Sequence, residues 1–109
     1  MKTKTIQIDF NGLTEQGLNL KMKELLGFPD FYGMNWNAML DCLSYMRYPD
    51  ACMSTITLAE DEMLVIDCTN ILHACLDLDV FLEVIQQCNE RELNACGKSQ
   101  ILLNLLPAT

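Results

Sequence analysis

The feature that most constrains the fold is the segment Met63–Cys68, which follows the acidic run Glu60–Glu62 and whose hydrophobic residues do not alternate with polar ones. A continuous apolar strand of this kind is typical of the centre of a parallel sheet, where both faces are covered. The alternating segment Thr5–Phe10 and the apolar segment Ile101–Leu106, which Pro107 stops, predict two further strands. Helical patterns separate the three strands. We therefore predict an α/β fold, with a small three-stranded parallel sheet packed with helices and Met63–Cys68 buried at its centre.

Apolar residues spaced by three and four positions predict the helices. These run from Thr14 to near Gly27, from about Asn35 to a break at Tyr48, for a short stretch after Asn70, and from Val80 to about Asn94. Thr55–Leu58 is a possible short extended segment. No repeat or linker divides the chain, so we expect residues 1–109 to form a single domain.

The charge of the chain restricts its partners. Seven basic and fifteen acidic side chains give a net charge of −8. From Glu24 to Glu92 there are thirteen acidic residues against Arg47 and Arg91, a balance of −11. Such a segment repels the phosphates of nucleic acids, so we expect no direct nucleic-acid binding. Two interpretations remain open: the charge serves solubility, or it attracts a basic partner.

The chain lacks the residues that several functional classes require. The longest apolar run, Met63–Ile66, is far shorter than the roughly 20 residues that span a bilayer, so we expect a soluble protein of the cytoplasm. The six cysteines contain no C-x-x-C spacing, and we expect most of them to be buried, free thiols. A zinc site at Cys68, His73 and Cys75 lacks a fourth ligand. His73, the single histidine, is expected to be a hydrogen-bonded structural residue in a helix. We predict no enzyme activity, no metal and no cofactor.

The segment Leu26–Leu43 is the most unusual part of the chain. The turn Gly27–Gly33 contains two glycines, a proline and three aromatic residues, and a short amphipathic helix follows it directly. Asn37 and Asp41 lie one turn apart on the polar side of this helix. The arrangement suits a rigid binding surface; the alternative is that the aromatic residues belong only to the core and that Asp41 is an ordinary surface charge.

The same segment resembles the central motif of the barstar family, the intracellular inhibitors of secreted bacterial ribonucleases. It reads LGFPDFYGMNWNAMLDCL; the family pattern is Leu, Pro, an acid, two aromatics, Gly, any residue, Asn, an apolar residue, Asp, Ala, two apolar residues, Asp, Cys and Leu. The order of strands and helices also agrees with the three-stranded parallel sheet of the family. The resemblance implies an immunity protein, or antitoxin, that forms a heterodimer with a cognate toxic ribonuclease. Asp41 matches the family aspartate that takes the place of an RNA phosphate in the ribonuclease active site.

The resemblance also implies which residues bind the partner. They are Phe31, Gly33, Asn35, Trp36, Asn37, Asp41, Tyr45, Met46 and Gln87. Three positions depart from the family: Asn37 replaces an aspartate, Gln87 or its neighbour Gln86 falls where a glutamate is expected, and Phe31 replaces a tyrosine. The connection from Asp50 to Glu62 is longer than in the family prototype. These changes point to a nuclease or toxin with fewer basic residues, or to a barstar-like regulatory module whose partner is not a nuclease.

Overall fold

The structure is a computed structural model that describes residues 2–106. Its elements are β1 (Lys2–Asp9), α1 (Glu15–Leu26), α2 (Trp36–Ser44), β2 (Glu62–Thr69), α3 (Leu78–Cys96) and β3 (Ile101–Leu106). The strands form a parallel sheet in the order β1-β2-β3. The predicted α/β fold is therefore confirmed, and β2 is the central strand. Pro107, predicted to stop β3, lies outside the described residues.

The sheet buries one of its two faces. Ile8, Leu64 and Ile66 are at most 1% exposed, and they share one hydrophobic core with residues of all three helices. On the opposite face Val65 of β2 is half-buried, and its partner in β3, Leu102, is 55% exposed. The prediction that Met63–Cys68 is buried throughout is therefore wrong, because the helices cover only one side of β2.

The ends of the helices follow from local sequence. The Thr14 side chain accepts a hydrogen bond from the Gly17 N–H at the start of α1, and Gly27 ends this helix with a left-handed backbone, φ +69°. Asp77 caps α3 by accepting from the backbone N–H groups of Asp79 and Val80. Helix α3 is therefore longer at both ends than the predicted Val80–Asn94.

The predicted helix after Asn70 is wrong, since only a single 3₁₀ turn, Ile71–His73, forms there. Asn70 has a left-handed backbone with φ 54°, and the His73 carbonyl accepts from the Gly12 N–H at 2.8 Å instead of from a later turn of a helix. Asp77 then starts α3, which leaves too few residues for another helix. The possible extended segment Thr55–Leu58 does not join the sheet, and its backbone bonds to the end of α1 and to Met46.

A buried ion pair joins the ends of α2 and α3. Arg47 Nη1 donates to Glu92 Oε2 at 3.0 Å, and the two side chains are only 4% and 3% exposed. The guanidinium also donates to the backbone carbonyls of Lys98, Glu62 and Ser99 at 2.8 to 2.9 Å. Arg47 thus fixes the end of α2 against the start of β2 and the segment that leads into β3.

Within the part of the chain described here, no helix combines the length and hydrophobicity needed to cross a membrane.

Candidate protein-binding site

The aromatic turn before α2 is anchored on α1. The Tyr32 hydroxyl donates to Asn19 Oδ1, and Asn19 is itself fully buried and donates from Nδ2 to the Glu15 carbonyl at 2.9 Å. The Tyr32 ring packs on Phe28 with centroids 4.9 Å apart. Burial raises the pKa of Tyr32 well above its usual value, so the hydroxyl stays a donor. Because Tyr32 points inward, its neighbour Phe31 lies at the surface, 76% exposed.

The long connection after α2 holds the turn from the other side. The Thr55 N–H donates to the carbonyls of Leu26 and Gly27 at 2.9 and 3.0 Å. A Cβ on Gly27 would clash with the Thr55 side chain, and the left-handed backbone at Gly27 also favours glycine. The connection between α2 and β2 thus packs directly against the predicted binding turn.

Asn35 sets the angle at which α2 leaves the turn. Its Oδ1 accepts from the Ala38 N–H at 2.8 Å as the N-cap, and its Nδ2 donates to the Gly33 carbonyl at 3.3 Å. A Cβ on Gly33 would lie 3.2 Å from Asn35 Nδ2, so a side chain there would disturb this cap. Met34 between them has a left-handed backbone, φ 55°, which completes the change of direction. Asn35 and Gly33 therefore shape the surface of the turn.

Turn, helix and connection together enclose a surface hollow of about 180 Å³. Phe31 and Met53 form apolar parts of its wall, and Asp41 contributes a carboxylate. Cys42 also lines the hollow, and burial raises the pKa of its thiol to about 11, with a smaller contribution from the Asp41 charge. The thiol is therefore neutral at pH 7. The hollow combines apolar contact area with one negative charge.

Asp41 has a partner within the protein. Its Oδ1 lies 3.4 Å from Nη1 of Arg91 on α3, and the two side chains are 59% and 50% exposed. The same Nη1 donates to Ser44 Oγ at 3.2 Å. Gln87 lies one turn before Arg91 on α3, is exposed, and donates to Glu83 Oε1 at 3.2 Å. Helix α3 thus contributes a cation to the surface where the sequence predicted only a neutral amide.

The remaining predicted residues differ in their accessibility. Asn37 is exposed one turn before Asp41. Tyr45, at the end of α2, is 44% exposed and meets Tyr48 edge to face at 6.3 Å. Trp36 is half-buried, with its ring 6.4 Å from that of Phe81 in the core. Asn37 and Tyr45 are therefore available to a partner, and Trp36 is only partly accessible.

The structure corrects one predicted contact residue. Met46 is fully buried in the core, and its backbone carbonyl accepts from the Leu58 N–H at 2.8 Å. It supports the end of α2 and cannot meet a partner without unfolding. Sequence reasoning missed Arg91 and Met53. Arg91 follows Gln87 by four residues, so helical spacing alone would have placed it on the same stripe.

The residues considered for other chemistry are dispersed. His73 is exposed in the 3₁₀ turn, outside any helix, whereas Cys68 is buried, and burial raises the pKa of its thiol to about 12. All six cysteines are free thiols; three are buried, but Cys52 and Cys75 are exposed, so the expectation that most are buried is wrong. Residues 2–106 hold no group of three His, Cys, Asp or Glu side chains placed to bind a metal ion.

Fold and site together define a small parallel α/β protein with a rigid, exposed turn and helix, which carry the carboxylates of Asp30 and Asp41. The chain belongs to the barstar family: the family model described as Barstar (barnase inhibitor) matches residues 3–96. The match covers the whole of α1, α2, β2 and α3, including the motif Leu26–Leu43. Membership suggests a role like that of a ribonuclease inhibitor. A search of curated proteins found no match to the chain.

Proposed function

We propose that this protein is an intracellular immunity protein that blocks the active site of a cognate bacterial toxic ribonuclease in a heterodimer. The contact surface comprises the turn around Phe31 and the exposed side of α2. The observation that carries the proposal is the placement of Asp41, in a chain of the barstar family. Its carboxylate is 59% exposed beside the hollow, on a helix whose two ends are both fixed.

The chemistry of Asp41 suits a site that evolved to hold RNA. A ribonuclease must bind phosphate with basic side chains, and a carboxylate forms charge-assisted, bidentate hydrogen bonds with a guanidinium. The apolar wall of the hollow adds contact for the stem of such a side chain, and the exposed Phe31 ring offers a face on which a cation can rest. The −11 balance from Glu24 to Glu92 attracts a basic enzyme from a distance.

The experiment is inhibition of purified ribonucleases, with barnase and other secreted bacterial ribonucleases as probes. Asp41→Asn removes the charge and keeps the shape. Asp61→Asn is the matched control, since it removes the same charge from an exposed aspartate just before β2. We expect Asp41→Asn to weaken inhibition by about 2 kcal/mol, roughly thirtyfold, because hydrogen bonds to charged groups are lost. The control should stay within about twofold of the wild type, as surface charges do.

Two results would count against the proposal in different ways. Equal inhibition by the Asp41→Asn and Asp61→Asn variants removes Asp41 from the mechanism. Absence of a complex with every ribonuclease tested, while the wild-type protein is folded, contradicts inhibition itself.

A second candidate function is a barstar-like regulatory module that binds a protein other than a nuclease. The observation that favours it is the neutral character of the surface, since Asn37 and Gln87 are amides and Asp41 is already paired with Arg91. Affinity capture with the wild-type protein and with Asp41→Asn, followed by a nuclease assay on the captured partner, separates the two functions. A partner that requires Asp41 and degrades no RNA favours the module.

A further inference from the structure

The ion pair between α2 and α3 changes what the proposed contact surface offers to a partner. Among the nine residues predicted to bind it, only Asp41 carries a charge. Arg91 lies beside that carboxylate, with Nη1 3.4 Å from Oδ1. The centre of the surface therefore combines one negative and one positive charge, although the chain around it is strongly acidic.

Both members of the pair remain accessible. The side chains of Asp41 and Arg91 are 59% and 50% exposed. Arg91 uses the same atom, Nη1, for Asp41 and for Ser44. Within residues 2–106, its Nη2 and Nε donors and Asp41 Oδ2 make no hydrogen bond, so each charge can still accept an external partner. A cation and a carboxylate of a partner could therefore pair with Asp41 and Arg91, respectively, at the same time.

We propose that Arg91 is a specificity-determining residue, which selects a basic partner site flanked by a carboxylate. In the free protein it holds the Asp41 carboxylate. A partner that offers cations alone can reach Asp41 Oδ2 but is opposed by the like charge of Arg91. A partner that offers an arginine beside a carboxylate satisfies Asp41 and Arg91 together. This inference rests on the proposed function, because it takes the surface around Asp41 to be the one that meets a basic protein.

The test uses two peptide amides of equal length, hexa-arginine and an alternating arginine–glutamate peptide. Binding to the isotope-labelled full chain is followed by NMR at low ionic strength, where exposed charges are least screened. Arg91→Gln removes the cation and keeps a donor for Ser44. Lys98→Gln is the matched control, because it removes the same charge from another exposed site. The readout is the ratio of the two dissociation constants, and the amide spectrum shows that each variant is folded.

We expect Arg91→Gln to favour hexa-arginine over the alternating peptide by about two- to fivefold relative to the wild type, the range that an exposed ion pair contributes. Lys98→Gln should leave the ratio unchanged. Adding Asp41→Asn to Arg91→Gln should abolish the gain, since the gain comes from the released carboxylate.

The inference is overturned if the ratio of dissociation constants is the same in the Arg91→Gln and Lys98→Gln proteins. It is also overturned if the preference for hexa-arginine survives the loss of Asp41, or if the peptides bind no variant near α2. Neither peptide is a ribonuclease. Failure of the inhibition assay therefore leaves this measurement intact, and the two proposals can fail separately.

Discussion

Removal of the buried Arg47 guanidinium is the substitution with the most direct consequence for stability. In the Arg47→Met protein, Glu92 keeps a carboxylate that is 3% exposed and has lost its cation. Breaking a buried pair from one side costs about 3–5 kcal/mol. The carbonyls of Glu62, Lys98 and Ser99 lose a donor as well. Water reaches some of them, so we expect a total loss of about 4 kcal/mol, a large part of the stability of a chain this size.

The double variant Arg47→Met/Glu92→Met tests the reasoning behind this number. It removes the unpaired charge but leaves the three carbonyls without a donor, so we expect it to recover about 2 kcal/mol of the loss. Arg91→Met makes the same substitution in the half-exposed pair and should cost less than about 1 kcal/mol. Urea unfolding gives each free energy by linear extrapolation. The reasoning is refuted if Arg47→Met costs no more than Arg91→Met, or if the double variant is less stable than Arg47→Met alone.

Two further predictions concern the turn and the sheet. Tyr32→Phe leaves the buried Asn19 Oδ1 without its donor and should lower the free energy of unfolding by about 1–3 kcal/mol. The control Tyr45→Phe, at the surface, should change the free energy of unfolding little. Equal losses of stability for the two variants in thermal unfolding would contradict the anchoring role of Tyr32. Burial raises the pKa of Cys68 from 9.0 to about 12 in the folded protein, so the stability that its neutral thiol contributes is complete below pH 9 and lost as the pH rises toward 12. Urea unfolding between pH 9 and 12 should show that the wild type loses more stability than Cys68→Ala. Parallel plots of the free energy of unfolding against pH for the two proteins would refute this prediction.

Features that depend on neighbouring residues were predictable from the sequence. The bounds of β3, Ile101–Leu106, match the prediction, and Thr14 and Gly27 delimit α1 as their side-chain and backbone preferences require. The motif also placed Phe31 and Asp41 at the surface correctly. Each of these depends on periodicity, a cap or a turn, which a short segment determines by itself.

Features that depend on distant contacts were not predictable in this way. Met46 follows the motif closely and was predicted to contact the partner, but the connection after α2 covers it. The apolar spacing after Asn70 fits a helix, but hydrogen bonds to the loop after β1 take its backbone groups. Arg91 and Asp41 are 50 residues apart, so their pairing follows only from the packing of α3 on α2.

The distribution of charge separates two tasks in the proposed interaction. Attraction from a distance depends on the sum of the acidic residues, and salt screens it beyond about 10 Å at 0.1 M. Selection at contact depends on Asp41 and Arg91, whose charges cancel and whose separation, 3.4 Å, is well inside that length. A change in salt should therefore alter how fast a basic protein arrives more than which basic protein is retained. A substitution at Arg91 should do the reverse, because it changes the net charge of an acidic chain by only one unit but leaves the Asp41 charge uncompensated where the partner is held.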